Sequence, residues 1–319
     1  MTNKMKLLIA YDGSECADAA LEDLRSAGLP KQAEVLVMSM ADVFLPPPIN
    51  EEIDDTFPMQ VPEGVKRAHA HAARRLKEAE SMATRASEQI KRMFPEWEVN
   101  HLALADSPAW SILREADKWK ADLIVVGAQG HSVLGGRLIL GSISQRVLYE
   151  AACSVRIART RNVDKNYLRL LIGVDSSPYS TAAVETVCRR EWPKETEVRL
   201  LAVVDTVMAI APDPDQPEVQ KWIEVGDEED WDKITRLFAP QADKLRNAGL
   251  NATVVIRRGN PTEEILEEAE SWGADSIFLG AKGARGIERL LLGSVSSAVA
   301  ARASSSVEVV RVKPLPERR

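Results

Sequence analysis

MKLLIAYDGSE (5–15) and LRLLIGVDSSP (168–178) are the same phrase written twice. Each is a short apolar run rich in Leu and Ile that ends in an aspartate, Asp12 or Asp175. Each then passes through small polar residues into an Ala-rich helical pattern, Cys16 to Ala27 and Ser180 to Arg190. An internal repeat of this kind settles architecture before any single motif does.

Working outward, the copies stay in step. EVLVMSMADV (34–43) and EVRLLAVVDTV (197–207) read as second strands. A Pro-rich acidic insertion follows in each half, FLPPPINEEIDDTFP (44–58) and APDPDQPEVQKWIEVGDEED (211–230), and reads as a loop. Long helices fit 63–93 and 230–248, and third strands fit WEVNHLALA (97–105) and NATVVIRRG (251–259). SPAWSILREADKWKADLIVVG (107–127) and NPTEEILEEAESWGADSIFLG (260–280) then place proline at a helix start, apolar residues at helical spacing, and a buried strand ending in Gly. Both halves close with Gly-Ser, a helix and a last strand, CSVRIAR (153–159) and SSVEVVRV (305–312). Strands alternating with helices imply a parallel sheet covered on both faces. The expectation is an α/β chain of two tandem Rossmann-like domains, 1–160 and 167–319, each a five-stranded parallel sheet flanked by helices. The polar stretch TRNVDKNY (160–167) joins them.

Composition narrows the function. The 319 residues suit two domains, and 45% hydrophobic with 28% charged residues is a globular balance. A net charge of −7 without a basic stripe argues against duplex binding, and 5% aromatics argues against a base-stacking platform. The apolar runs are short, as in 121–128, which Asp122 interrupts, so no segment reaches bilayer length. The N-terminus enters a strand-like run with no export signal, and Cys16, Cys153 and Cys188 lie far apart without CxxC spacing. Both features point to a cytoplasmic protein with reduced, small buried thiols.

In an open parallel sheet, ligands bind beyond the carboxyl ends of the strands, where strand order reverses. Three features of each half should meet there. Asp12 or Asp175 could accept hydrogen bonds from ribose hydroxyls, or could serve helix one as a cap. GAQGHSVLGGRLILGS (127–142) and GAKGARGIERLLLGS (280–294) are glycine loops whose last Gly-Ser opens a helix. Glycine lets backbone N–H groups approach a phosphate, and a helix N-terminus favours an anion. Met40 and Val203, near the ends of the second strands, could cover adenine or could simply pack in the core.

Strand–Asp, then G-x2-G-x9-G-[S/T], then a final strand, resembles the universal stress protein superfamily, twice over and across nearly the whole chain. The resemblance implies the adenine nucleotide alpha hydrolase-like fold and ATP as ligand; Mg²⁺ could arrive on the ATP phosphates, since that ion commonly binds mostly phosphate and water. It implies Asp175 and Gly280 at the ribose, Val203 at adenine, and Gly283, Gly293, Ser294 and the Val295 N–H at the phosphates. In the first half it implies Asp12, Met40, Gly127, Gly130, Gly141, Ser142 and Ile143. That half departs from the pattern, with ten rather than nine residues between Gly130 and Gly141. The second loop also offers Lys282, Arg285 and Arg289 against Glu288, the first His131 and Arg137, which favours the second site. The resemblance further implies that 154–159 and 306–312 meet edge to edge as a pseudo-dimer, hiding two sheet edges; homodimerisation of whole chains is left open.

Other chemistries lack their residues. Strand one is not followed by G-x-G-x-x-G, and no G-x-x-x-x-G-K-[ST] occurs. His69 and His71 do not share a helical face, and His101 and His131 have no ligand cluster around them. No Ser-His-Asp or Cys-His set assembles, and Glu63, Glu78 and Glu80 belong to a charge-rich wet helix. The expected function is ATP binding in a regulatory or stress-response role with little turnover and no catalytic residue. The alternatives are an interaction module without nucleotide and a slow ATPase.

Overall fold

The computed structural model describes residues 4–43, 63–130, 140–159, 167–204, 228–283 and 292–312. The first insertion, most of the second, the linker at 160–166, and 131–139 and 284–291 of the glycine loops lie outside the described residues. His131, Gly135, Gly136, Arg137, Arg285, Glu288 and Arg289 are therefore outside them too.

The first half runs β1 (Met5–Ala10), α1 (Glu15–Asp23) with a 3-10 turn (Leu24–Ser26), β2 (Ala33–Ala41), α2 (Glu63–Met93), β3 (Glu98–Ala105), α3 (Pro108–Trp119), β4 (Leu123–Gly127), α4 (Ser142–Glu150) and β5 (Ser154–Ala158). The second runs β6 (Arg169–Val174), α5 (Pro178–Cys188), β7 (Glu197–Val204), α6 (Glu228–Asn247), β8 (Asn251–Arg258), α7 (Pro261–Trp272), β9 (Ser276–Gly280), α8 (Ser294–Arg302) and β10 (Ser306–Val310). The acidic stretch read as loop to 230 turns helical at 228.

Local chemistry sets the helix starts. Ser14 and Ser177 accept hydrogen bonds from Ala17 N and Ser180 N, and Asn260 accepts from Thr262 N and Glu263 N. Proline in the first turn of α3, α5 and α7 pre-sets the helical φ. On α2 the buried residues Ala72, Ala79, Ala83, Ala86 and Ile90 fall on one stripe, and their small size lets this helix approach the sheet.

Within each half the five strands are parallel, in the orders β3-β2-β1-β4-β5 and β10-β9-β6-β7-β8. The chain leaves β1 outward through β2 and β3, then returns to β4 on the other side. The carboxyl ends of β1 and β4, and likewise of β6 and β9, therefore flank a switch point. β5 pairs antiparallel with β10, so the two halves share one ten-stranded sheet.

The two faces of that sheet differ. One core runs unbroken beneath α3, α4, α7 and α8, joining Ile124, Val155 and Ile157 to Ile277, Val307 and Val309. On the other face α1 and α2 cover Leu7, Ile9, Val35 and Val37, while α5 and α6 separately cover Leu170, Ile172, Leu200 and Phe278. Cys153 is buried, which pushes its thiol up to about 11; Cys16 and Cys188 are half-buried, and all three are free.

Candidate functional site

Each switch point gathers the same parts. Beyond β6, Asp175 Oδ1 accepts from Ser177 N at 3.2 Å and from Ser177 Oγ at 2.5 Å. Beyond β1, Asp12 Oδ1 accepts from Ser14 N at 3.0 Å. The capping residues themselves are Ser14 and Ser177. Each aspartate thus orients a cap with one oxygen and turns the other toward the glycine loop. A Cβ on Gly283 would lie 2.8 Å from Asp175 Oδ2, and one on Gly130 would lie 2.7 Å from Asp12 Oδ2.

The loop then folds back on itself. Gly293 N donates to Ala281 O at 2.7 Å, and Gly141 N to Ala128 O at 2.9 Å. A Cβ on Gly293 would sit 3.8 Å from Gly283 N, and one on Gly141 would sit 3.6 Å from Gly130 N. The contact order is therefore Asp175, Gly283, Gly293, with Ser294 opening α8, and it repeats as Asp12, Gly130, Gly141, with Ser142 opening α4. The carboxylate, the loop glycine and the helix start are therefore neighbours in each half.

Helices α4 and α8 start bare. Their N-caps, Gly141 and Gly293, supply no side-chain hydrogen bond, unlike the serine and asparagine caps of α1, α5 and α7. The Ser142 and Ser294 side chains are exposed, and Ile143 and Val295 are half-buried against the continuous core. Orphan N–H groups at a helix start attract anions, and a hydroxyl adds a donor.

Five predicted residues behave differently from the rest. The space a Cβ on Gly280 would need is filled by backbone of Tyr179, 2.6 Å away, and that of Gly127 by Cys16 O at 2.6 Å. These glycines let α5 and α1 lie against the strand ends. Met40 and Val203 pack against the continuous core from the ends of β2 and β7. Lys282 is half-buried, with its Nζ 6.0 Å from the Tyr179 ring centroid.

Two site residues were missed in the sequence. Ser296 Oγ donates to Gly280 O at 2.6 Å, and Ser144 Oγ donates to Gly127 O at 2.7 Å, both buried. They tie the start of each bare helix to the end of its strand. The signal was present as GSVS (293–296) and GSIS (141–144), a second serine at the same place in both copies.

Other candidates stay apart. Among the described residues no three His, Cys, Asp or Glu side chains converge as a metal site. His101 Nε2 lies 3.3 Å from Thr84 Oγ1, Glu63 pairs with Lys66, and Glu78 pairs with Arg74 and Arg75. Among the described residues no helix is long and apolar enough to cross a membrane.

Comparison with known proteins agrees with this architecture. The sequence profile of the Universal stress protein family matches residues 4–159 and again residues 166–311. A universal stress protein of Thermus aquaticus is 33% identical over 153 residues, which is 48% of this chain and 97% of that protein. One from Mycobacterium tuberculosis is 27% identical over 198 residues, 60% of this chain and 62% of that protein, so the match spans under two thirds of the mycobacterial relative. Among solved structures, a universal stress protein from Archaeoglobus fulgidus superposes with TM-score 0.60 at 21% identity, covering 96% of both chains. A Pseudomonas aeruginosa structure superposes with TM-score 0.60 at 15% identity, covering 97% of this chain and 94% of its own. At those identities the two structures speak for the fold alone. With both halves matched by one profile and built on one plan, the chain belongs to the universal stress protein family.

Proposed function

We propose that this protein binds adenine nucleotide, ATP with Mg²⁺ on its phosphates, and serves a stress response by being occupied or empty rather than by turnover. The observation that carries the reading is the cradle a Cβ would fill. At Gly283 a carboxylate oxygen, a glycine backbone and an uncapped helix start share one place, and the second copy at Gly130 repeats it. In this reading Asp175 takes the ribose through Oδ2, the oxygen on the Gly283 side. Gly283, Gly293, Ser294 and the Val295 N–H hold phosphate oxygens, and the end of β7 at Val203 flanks the base. Asp12, Gly130, Gly141, Ser142, Ile143 and Met40 take the matching roles in the first half. Bound nucleotide supplies phosphate charge, and this chain contributes donors, a sugar-facing acceptor and a fixed geometry. The free thiols fit a reducing, cytoplasmic setting, and the shared sheet fits two halves working as a pseudo-dimer.

Ligand that binds only the folded state stabilises it by about 2.7 kcal/mol at a hundred times Kd. ATP with Mg²⁺ should therefore raise the melting temperature by several degrees. Gly283→Val should abolish the second half's share of that rise, because a side chain there meets Asp175, and Gly130→Val together with it should abolish the whole. An unchanged melting temperature, together with no nucleotide carried through purification, would sink the proposal.

A further inference from the structure

The contact between the halves repeats itself about one point. Arg156 on β5 stands opposite Glu308 on β10, flanked by Val155 opposite Val309 and by Ile157 opposite Val307. The match continues beyond the strands. Arg159 Nη2 donates to Ala300 O at 2.6 Å and Ala301 O at 3.2 Å, at the end of α8. Arg311 Nη2 donates to Leu148 O at 2.6 Å and Tyr149 O at 3.3 Å, at the end of α4. Arg159 N donates to Ser306 Oγ at 3.0 Å, and Arg311 N to Ser154 Oγ at 3.1 Å. A local twofold axis therefore passes through the Arg156–Glu308 pair.

Those reciprocal contacts are indifferent to which half meets which. Two first halves would reproduce them, and so would two second halves. The pair on the axis is not indifferent. Arg156 is fully buried and binds Asp23 of its own half, Nε to Oδ2 at 2.6 Å and Nη2 to Oδ1 at 3.0 Å. Glu308 is fully buried and accepts both terminal nitrogens of Arg190 in its own half. Each half thus balances its charge internally, and Arg156 Nη1 then lies 3.5 Å from Glu308 Oε2 across the axis. A pairing of like halves would set arginine against arginine, or glutamate against glutamate, in the same dry position. Like charges directly opposite in a ladder are unfavourable, and more so when buried.

Burial of ions is a poor source of net stability, because desolvation offsets the attraction. Its use is discrimination between partners. We infer that the Arg156–Glu308 pair is a partner-selecting device. It makes the β5 edge of a first half accept the β10 edge of a second half, from this chain or from a second copy of it, and reject its own kind.

The test reverses one half at a time in the full-length chain. Glu308→Arg with Arg190→Glu keeps the internal pair of the second half but brings like charge to the axis. Asp23→Lys with Arg156→Glu does the same from the first half, and all four changes together restore opposite signs. Each double variant should lose more than roughly tenfold of the hydrogen-exchange protection at amides 154–158 and 306–310. The fourfold variant should recover most of it, which a merely structural role for any one residue does not explain. Wild-type protection in the double variants overturns the assignment, as does a fourfold variant no better protected than they are. Glu308→Gln keeps the shape and removes the charge, and it serves if the reversals do not fold. Its protection should fall below wild type, and an unchanged value there also overturns the assignment.

Discussion

Gly280 and Gly283 stand three residues apart, and their missing side chains serve different neighbours. Gly280 yields to the backbone of α5, whereas Gly283 yields to Asp175 Oδ2. Sequence spacing placed both in one loop but could not divide them, because which side of a glycine is crowded depends on where the next helix lies. Asp175 shows the same limit: it was legible as ribose acceptor or cap, and in the fold one oxygen holds the capping Ser177 while the other lies against Gly283. The two serines that follow Gly293 separate in a testable way. Ser296→Ala removes a buried hydrogen bond to Gly280 O and should cost about 1–2 kcal/mol in denaturant unfolding. Ser294→Ala alters an exposed side chain and should shift stability by under about 0.5 kcal/mol, yet reduce the ATP-induced rise in melting temperature. Equal stability losses at the two positions would contradict the separation.

Elements are fastened by charges that periodicity does not announce. Glu268 on α7 is buried and takes Arg199 of β7 at 2.5 Å and Arg257 of β8 at 2.6 Å, clamping the helix to two strands. Burial works to raise its carboxyl, but the hydrogen bonds and charges of the two arginines outweigh this and hold it below its ordinary value. A carboxyl depressed in the folded state contributes stability that is complete above the unfolded value, about 4.3, and is lost as pH falls toward the folded one. Wild-type stability should thus decline below about pH 4.5, and Glu268→Gln should flatten that decline while lowering stability at pH 7. Identical slopes in both proteins between pH 5 and 3 would refute the clamp. Helix and strand positions themselves were plain from the repeat: the strand read over 251–259 is Asn251–Arg258, and the helix read over 63–93 is Glu63–Met93. Such tertiary clamps were not, because Glu268 sits in a run, EEAES (267–271), that looks like any solvated helical face.

At the scale of the whole molecule, two copies have become one body. The repeat and the parallel sheet of each half could be read from the sequence, since both rest on local patterns. The buried ion group between the halves could not, although an arginine in SVRIA (154–158) and a glutamate in SVEVV (306–310) break otherwise apolar strands at the same place. The core beneath α3, α4, α7 and α8 crosses from one half to the other without interruption. Heating should accordingly give a single calorimetric transition whose calorimetric and van't Hoff enthalpies agree. Two resolved transitions would mean that the halves unfold separately. Finally, α8 is gripped at both ends by unlike hands. Its tail rests on Arg159 of the opposite half, while its head, about 13 Å away, begins at Gly293 next to Gly283. A rod of about two and a half turns puts the candidate phosphate-side helix start and the Arg159 contact with the opposite half on a single short element.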